Sequence, residues 1–258
     1  MSNSFLDIDT KRTVENKKAL KKNVNLLYWY MKLYEQMFKD IIDFDRKKIL
    51  EVGSGTSPLT IFHPHVMTSD ILDIDYVDYK IDCMQINKFS KIKDFNLDII
   101  TCTNVLHHLK NPVEFLLKAS KKLKLGGLII FTEPYFSFLS KLVYTNFHRE
   151  KSDFLVENPE LNNVIGPLSS ANMAIPFLIF FSNKIWKEEV KKIYSIKKNQ
   201  IKYFSSVSYF LTGGISHRFP VPHMFYKLFF FLDAFFVKIA PKFFSSFFIL
   251  VLKKMHNF

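Results

Sequence analysis

At 258 residues, with 48% hydrophobic and 23% charged residues, the chain has a globular composition and enough length for one sizeable core. No apolar leader and no run of 18 apolar residues is seen, so neither a signal peptide nor a spanning helix is expected. The net charge of +12 invites a nucleic-acid reading, but only four of the 36 basic residues are arginine (Arg12, Arg46, Arg149 and Arg218), and the bidentate fork of base and phosphate readers is scarce.

Residues 1–24 are polar and basic. Apolar residues then recur at helical spacing over 25–44, among them Leu26, Leu27, Tyr30, Tyr34 and Phe38. Residues 1–46 are therefore expected to be a basic segment and a helix packed on a core at 47–258. Short apolar or alternating runs predict strands at 47–52, 65–71, 77–83 and 97–105. A helix carrying Val113, Phe115, Leu116, Ala119 and Leu123 inward stops at Gly126-Gly127, and 128–134 is a fifth strand. Strands alternating with helices indicate a parallel sheet. The rhythm breaks over 135–190, read as an inserted cap. Residues 193–211 look strand-like, and Gly213-Gly214 is a turn. Residues 224–240 read as an amphipathic helix with Phe225, Leu228, Phe229, Leu232, Phe235, Phe236 and Ile239 on its apolar face. Residues 245–254 read as a final strand, antiparallel beside the fifth.

Cys83 and Cys102 have no paired metal spacing and are expected to be free thiols in a reducing cytoplasm. His63-x-His65 and His107-His108 lack a third ligand at fixed spacing, so no metal is expected.

The strongest chemical signal is ILEVGSGTS (49–57). A buried strand runs into a turn where Gly53 and Gly55 free the backbone and admit a ligand closely. A dinucleotide fingerprint would need a third glycine and a longer helix, and a phosphate loop would need Gly-Lys-Ser/Thr. Neither is present. Glu51 sits poorly beside a pyrophosphate but well beside an ammonium and a sulfonium.

The order of these pieces resembles the class I S-adenosylmethionine (SAM)-dependent methyltransferases. Glu51-x-Gly53-x-Gly55 looks like their first motif. Asp70 matches the ribose-binding acid, Asp82-Cys83 the pair that reads the adenine, FNLDIITCTNVLHHL (95–109) the fourth-strand motif, and LKLGGLIIFTEP (123–134) the fifth strand. EPYFSFLSKLVYTNFHRE (133–150), ANMAIPFLIFF (171–181) and Tyr209-x-x-x-Gly213-Gly214 are similar to a subset of the methyltransferase type 11 group, and the likeness covers roughly residues 25–254. It implies an α/β Rossmann-like fold: a seven-stranded, mostly parallel sheet with an antiparallel C-terminal strand and an inserted cap. It implies SAM as cofactor, held by Glu51, Gly53, Ser54, Gly55, Asp70, Ile71, Asp82, Cys83, Asn104 and Val105. The chain departs from the family where Ser57 replaces a third glycine and where the first helix is nearly absent.

Methyl transfer needs an acceptor atom placed in line with the methyl and, for oxygen, a base. The candidates are His107, His148 and Glu133, with His108, Tyr135, Glu150 and Asp153 near them in sequence. Base methylation of DNA is disfavoured, because Thr103-Asn104-Val105-Leu106 stands where Asn/Asp-Pro-Pro-aromatic would be. The aromatic-rich cap fits a small-molecule or lipid-linked glycan acceptor. The Phe-rich helix, with Lys227, Lys238 and Lys242, either closes the core or lies peripherally on a membrane. A catalytically silent binding module and an RNA methyltransferase are the alternative readings.

Overall fold

The computed structural model describes residues 3–56, 58–147, 150–162, 164–214 and 221–256. The elements in chain order are α1 (Asn3–Lys22), α2 (Val24–Phe38), β1 (Ile49–Val52), α3 (Leu59–Phe62), β2 (Met67–Asp70), β3 (Tyr79–Lys80), β4 (Leu97–Thr103), α4 (Pro112–Ala119), β5 (Leu123–Pro134) and α5 (Phe138–Phe147). They continue with α6 (Ala174–Phe177), α7 (Lys184–Lys191), β6 (Tyr194–Ser195), β7 (Ile201–Phe204), α8 (Val207–Leu211), α9 (His223–Ile239), α10 (Pro241–Phe244) and β8 (Phe247–Lys254).

The strand alternation sorts apolar side chains onto two faces of one sheet. Ile49, Ile99, Ile130 and Ile249 face a core built with α2 and part of α9. Leu50, Ile100, Ile129 and Leu250 face a second core built with α4 and the segment around α6. The strand order is β3-β2-β1-β4-β5-β8-β6, with β7 also paired to β8. The first five strands are parallel and β8 runs antiparallel to β5. Chain order reverses between β1 and β4, which is where open α/β sheets bind ligands. The described sheet has eight strands rather than the seven expected. The extra one arises because β6 and β7 share the outer edge of β8, separated by a short 3-10 turn at Lys198–Gln200.

Three other expectations are corrected. The polar N-terminal segment forms α1, which lacks an apolar stripe and buries only Asp9, Thr13 and Leu20 among its described side chains. Asp9 accepts the Leu168 N–H at 3.0 Å and the Ser169 hydroxyl at 3.3 Å, so polar contacts dock this helix. The strand-like run 193–211 ends instead in the helix α8. Of the two expectations for the stripe from Phe225 to Ile239 of α9, closing the core does not hold: the stripe points to solvent. Tyr226, Phe230, Asp233 and Val237 are its buried residues.

The helix α2 fixes the floor of the site. Asn23 caps it by accepting the Leu26 N–H at 3.1 Å and ties it to α8 by donating to the Thr212 carbonyl at 2.9 Å. Leu26 and Leu33 are wholly buried, each stabilising the fold by roughly 1.5–3 kcal/mol. This holds Tyr30 and Tyr34 over the end of β1.

Candidate active site

After Val52 the chain turns through two glycines in the left-handed region, Gly53 at φ +64° and Gly55 at φ +52°. A Cβ on Gly53 would lie 2.7 Å from Val105 Cγ2, so no larger residue fits. The loop is laced to β2. Ser54 N–H donates to the Ser69 carbonyl at 2.9 Å, and Ser54 Oγ accepts the Ser69 N–H at 3.1 Å. Asp70 accepts the Gly55 N–H at 2.8 Å and the Leu72 N–H at 3.0 Å. Burial raises the Asp70 carboxyl above its ordinary value, although these N–H groups work against the shift. Asp82 caps the turn that follows it by accepting the Met84 N–H at 2.8 Å. Cys83 and Cys102 are buried free thiols, both pushed up by burial.

A cavity of about 240 Å³ opens at the carboxyl edge of β1 and β4. Glu51, the glycine loop, Asn104 and His107 line its base. Thr13 and Asn16 of α1, Tyr30 and Tyr34 of α2, and Tyr144, Glu150 and Tyr209 complete its lining. Three buried polar atoms of this lining have no hydrogen-bond partner among the described residues: Glu51 Oε2, Asn104 Oδ1 and the Tyr34 hydroxyl. Burial pushes the Glu51 carboxyl up to about 8, and the neighbouring Asp70 adds to the shift. Asn104 sits at φ +56°, a conformation asparagine tolerates better than most side chains.

His107 lies on a 3-10 turn just past β4. Glu133, at the end of β5 and wholly buried, holds that turn. One of its oxygens accepts the Val105 N–H at 2.9 Å and the Leu106 N–H at 2.6 Å, and the other meets His107 Nδ1 at 2.5 Å. On the far side, His107 Nε2 is 3.3 Å from Glu150 Oε2. Burial disfavours an imidazolium, but the two carboxylates outweigh it and push His107 up to about 10. His107 thus donates from Nδ1 to Glu133 and from Nε2 to Glu150. The backbone is braced as well, because Asn172 N–H donates to the His107 carbonyl at 2.9 Å. His108 Nδ1 donates to the Ser170 carbonyl at 2.9 Å, which turns its Nε2 to within 3.9 Å of Glu150. The third metal-capable side chain that sequence spacing lacked is therefore present as Glu150. The same three side chains stand as a chain of contacts, His107 lying between Glu133 and Glu150 and His108 beside Glu150.

Eight of the site residues named from sequence line this cavity: Glu51, Gly53, Ser54, Gly55, Asn104, His107, His108 and Glu150. Asp70, Ile71, Asp82, Cys83 and Val105 do not; Asp70 and Val105 shape the loop from behind. Glu133 also lies off the cavity, with its lone pairs spent on its own chain, so it positions His107 rather than touching a ligand. His148 and Ser57 lie outside the described residues. Asp153 is paired with Lys151 at 2.8 Å, Tyr135 packs among Phe177, Phe181 and Tyr203, and neither lines the cavity. His63 and His65 pack around Phe44 instead of converging on an ion. Sequence reasoning missed Thr13, Asn16 and Tyr209. It took Tyr30 and Tyr34 as core alone.

A glycine turn between β1 and β2, an acid at the end of each, and a cavity at the point of strand reversal form the methyltransferase arrangement. The profile of the family described as "Methyltransferase domain" matches residues 24–162. The chain belongs to that family. It has the Rossmann-like fold of class I methyltransferases, whose cofactor is SAM. No curated protein matches the chain. Among solved structures, it is similar to a chain of the Haloferax volcanii complex between the Trm112 methyltransferase activator and a protein assigned as a methyltransferase. That match has a TM-score of 0.53 and 9% identity, and covers 100% of this chain and 99% of the other. It is also similar to a SAM-dependent methyltransferase from Archaeoglobus fulgidus (TM-score 0.48, 16% identity, 87% and 91% covered). A third is the N-methyltransferase NodS from Bradyrhizobium japonicum WM9 in complex with S-adenosyl-L-homocysteine (TM-score 0.47, 10% identity, 96% and 99% covered).

Proposed function

We propose that this methyltransferase transfers a methyl group to an oxygen or nitrogen of a small-molecule or lipid-linked glycan acceptor in the cytoplasm. The observation that carries the reading is the pair of unpartnered, buried acceptors Glu51 Oε2 and Asn104 Oδ1 at the tips of adjacent strands. Burying polar atoms without partners is costly, so the fold keeps them for a ligand. A cationic ammonium would satisfy both. Tyr30 and Tyr34 would exclude water there.

SAM would supply an electrophilic methyl, bound with its amino-acid end on Glu51, the Gly53–Gly55 turn and Asn104. Asp70, Ile71, Asp82, Cys83 and Val105, which do not line the cavity, would serve the adenosine end. The acceptor would enter between Tyr144, Glu150 and Tyr209, under a cap formed by 135–190, with 1–46 closing the opposite side. Glu150 is half-buried and faces the cavity, and it is the group placed to take a proton from the acceptor. His107, charged and fixed by Glu133, orients that carboxylate. Isothermal titration with SAM tests the proposal: the wild type should bind, and E51Q should bind at least ten-fold more weakly. A folded wild type that binds neither SAM nor its demethylated product would overturn it.

A further inference from the structure

The apolar surface of α9 has no counterpart among the described residues. The helix buries one narrow stripe, Tyr226, Phe230, Asp233 and Val237, at spacings of three and four residues. Nearly everything else on it is exposed and large. Met224 is 84% exposed and Phe231 69%, and Phe225, Leu228, Phe235 and Phe236 all lie open. Isolated exposed apolar side chains are ordinary, but a contiguous field of them marks a binding surface.

The field extends beyond α9. Phe235 packs on Phe236, Phe236 on Phe244, Phe244 on Phe243, and Phe243 stacks on Phe138 of α5 at 5.0 Å. Phe138 is itself 62% exposed, and Leu142 lies one turn further along α5. Three helices therefore present one continuous apolar plane. Its charges have a single sign: Lys141, Lys227, Lys238 and Lys242 are all exposed around it. The one acid on these helices, Asp233, is turned inward and accepts the Ser206 and Val207 N–H groups and the Ser208 hydroxyl. A second copy seated here would bring lysine against lysine. An anionic bilayer complements both the apolar plane and its rim. No described helix is long and apolar enough to cross a membrane, which leaves lying along one.

The same plane adjoins the active site. α5 carries Phe138 and Leu142 outward, and Tyr144 on its other side lines the cavity. We infer that α5, α9 and α10 form a docking surface for an anionic bilayer, and that the acceptor reaches the cavity along α5 from that bilayer. This rests on the methyltransferase reading and narrows its acceptor to a membrane-resident molecule.

Because the native thiols are buried, a single introduced cysteine can carry a bimane label. L142C and F231C would report the docking plane and I185C, exposed on α7, would serve as control. Vesicles would contain phosphatidylcholine alone or with 30% phosphatidylglycerol, each with a doxyl-lipid quencher. Labels at 142 and 231 should be quenched on the anionic vesicles, and the label at 185 should not. The unlabelled protein should sediment with these vesicles and stay in the supernatant with neutral ones. K238E/K242E and F225S/F229S should each reduce sedimentation at least ten-fold while SAM affinity stays within two-fold. A wild type that remains in the supernatant with both vesicles, or that forms a dimer abolished by F225S/F229S, overturns the inference. Quenching at 231 without 142 overturns the route along α5. SAM titration of the same samples separates any of these results from failure of the methyltransferase reading.

Discussion

His107 Nδ1 lies 2.5 Å from Glu133 Oε2, and neither side chain is more than 3% exposed. The pair locks the end of β4 to the end of β5, because the same carboxylate also holds the Val105 and Leu106 amides. E133A leaves a buried cation and two unpartnered N–H groups and is expected to cost about 3–5 kcal/mol in urea unfolding. E133Q keeps an acceptor for the amides and should cost less.

The ion pair also has a pH signature. His107 is raised from 6.5 to about 10 in the folded state. Its contribution is therefore fully present below about pH 6.5 and is lost as pH rises through about 10. The stability difference between wild type and H107Q should shrink steadily across that window. A difference that stays constant from pH 6 to 10 would show that the pair is not charged.

Glu51 gives an opposite kind of test, through ligand binding. Its carboxyl is raised from 4.5 to about 8, so it is largely protonated at pH 7 without a ligand. The stability it lends the empty protein is complete below about 4.5 and falls as pH rises through about 8. Binding a cation beside it should expel that proton. SAM titrations at pH 7 in buffers of different ionisation heat should show close to one proton released by wild type and none by E51Q.

Gly53 is fixed by space as well as by dihedral. G53A places a methyl 2.7 Å from Val105 Cγ2 at a left-handed φ, and should lose roughly 2 kcal/mol or more of stability. The double variant G53A/V105A should recover the steric part but not the dihedral part. Equal losses in thermal unfolding for the two variants would mean that Val105 is not what fills the space.

Metal removal provides a fifth test. An imidazolium at His107, donating to both Glu133 and Glu150, would have no lone pair for an ion. Dialysis against EDTA should leave methyl transfer and the unfolding midpoint unchanged. Loss of turnover restored by zinc would assign His107, His108 and Glu150 to a metal instead.

Much of the fold was legible because the central strands are short continuous apolar runs, buried on both faces, and the first of them ends in a glycine turn. The run 49–55, Asp70 and the stretch 128–134 fall where that pattern places them, but α4 ends at Ala119 and β5 begins at Leu123, so Gly126-Gly127 lie within the strand instead of stopping the helix. What escaped was held by polar contacts or by topology. α1 docks through Asp9 on Leu168 and Ser169 and through Lys17 on the Thr56 carbonyl, so no apolar period announces it. The outward stripe of α9 repeats at helical spacing as well as the inward one does, and periodicity cannot tell which faces the core. The His107–Glu133 contact spans 26 residues, yet the parallel register of Thr103 with Thr132 brings the two together. Reading β4 and β5 as neighbours would have found it. Glu150 is legible as a candidate from its place after the fifth strand, but its pairing with His107 is not, because that contact comes from the cap across a fold no local pattern encodes.

β8 is the last strand in chain order, yet it lies inside the sheet, with β5 on one edge and both β6 and β7 on the other. During synthesis β6 and β7 therefore emerge with no strand to pair with, and the outer edge of β5 stays bare until residue 254 is free. The parallel half can assemble early, while the cap and the Phe-rich helices wait on the final segment. In that interval the nascent chain exposes both a β edge and an aromatic surface, the two features that chaperones bind and that aggregation exploits.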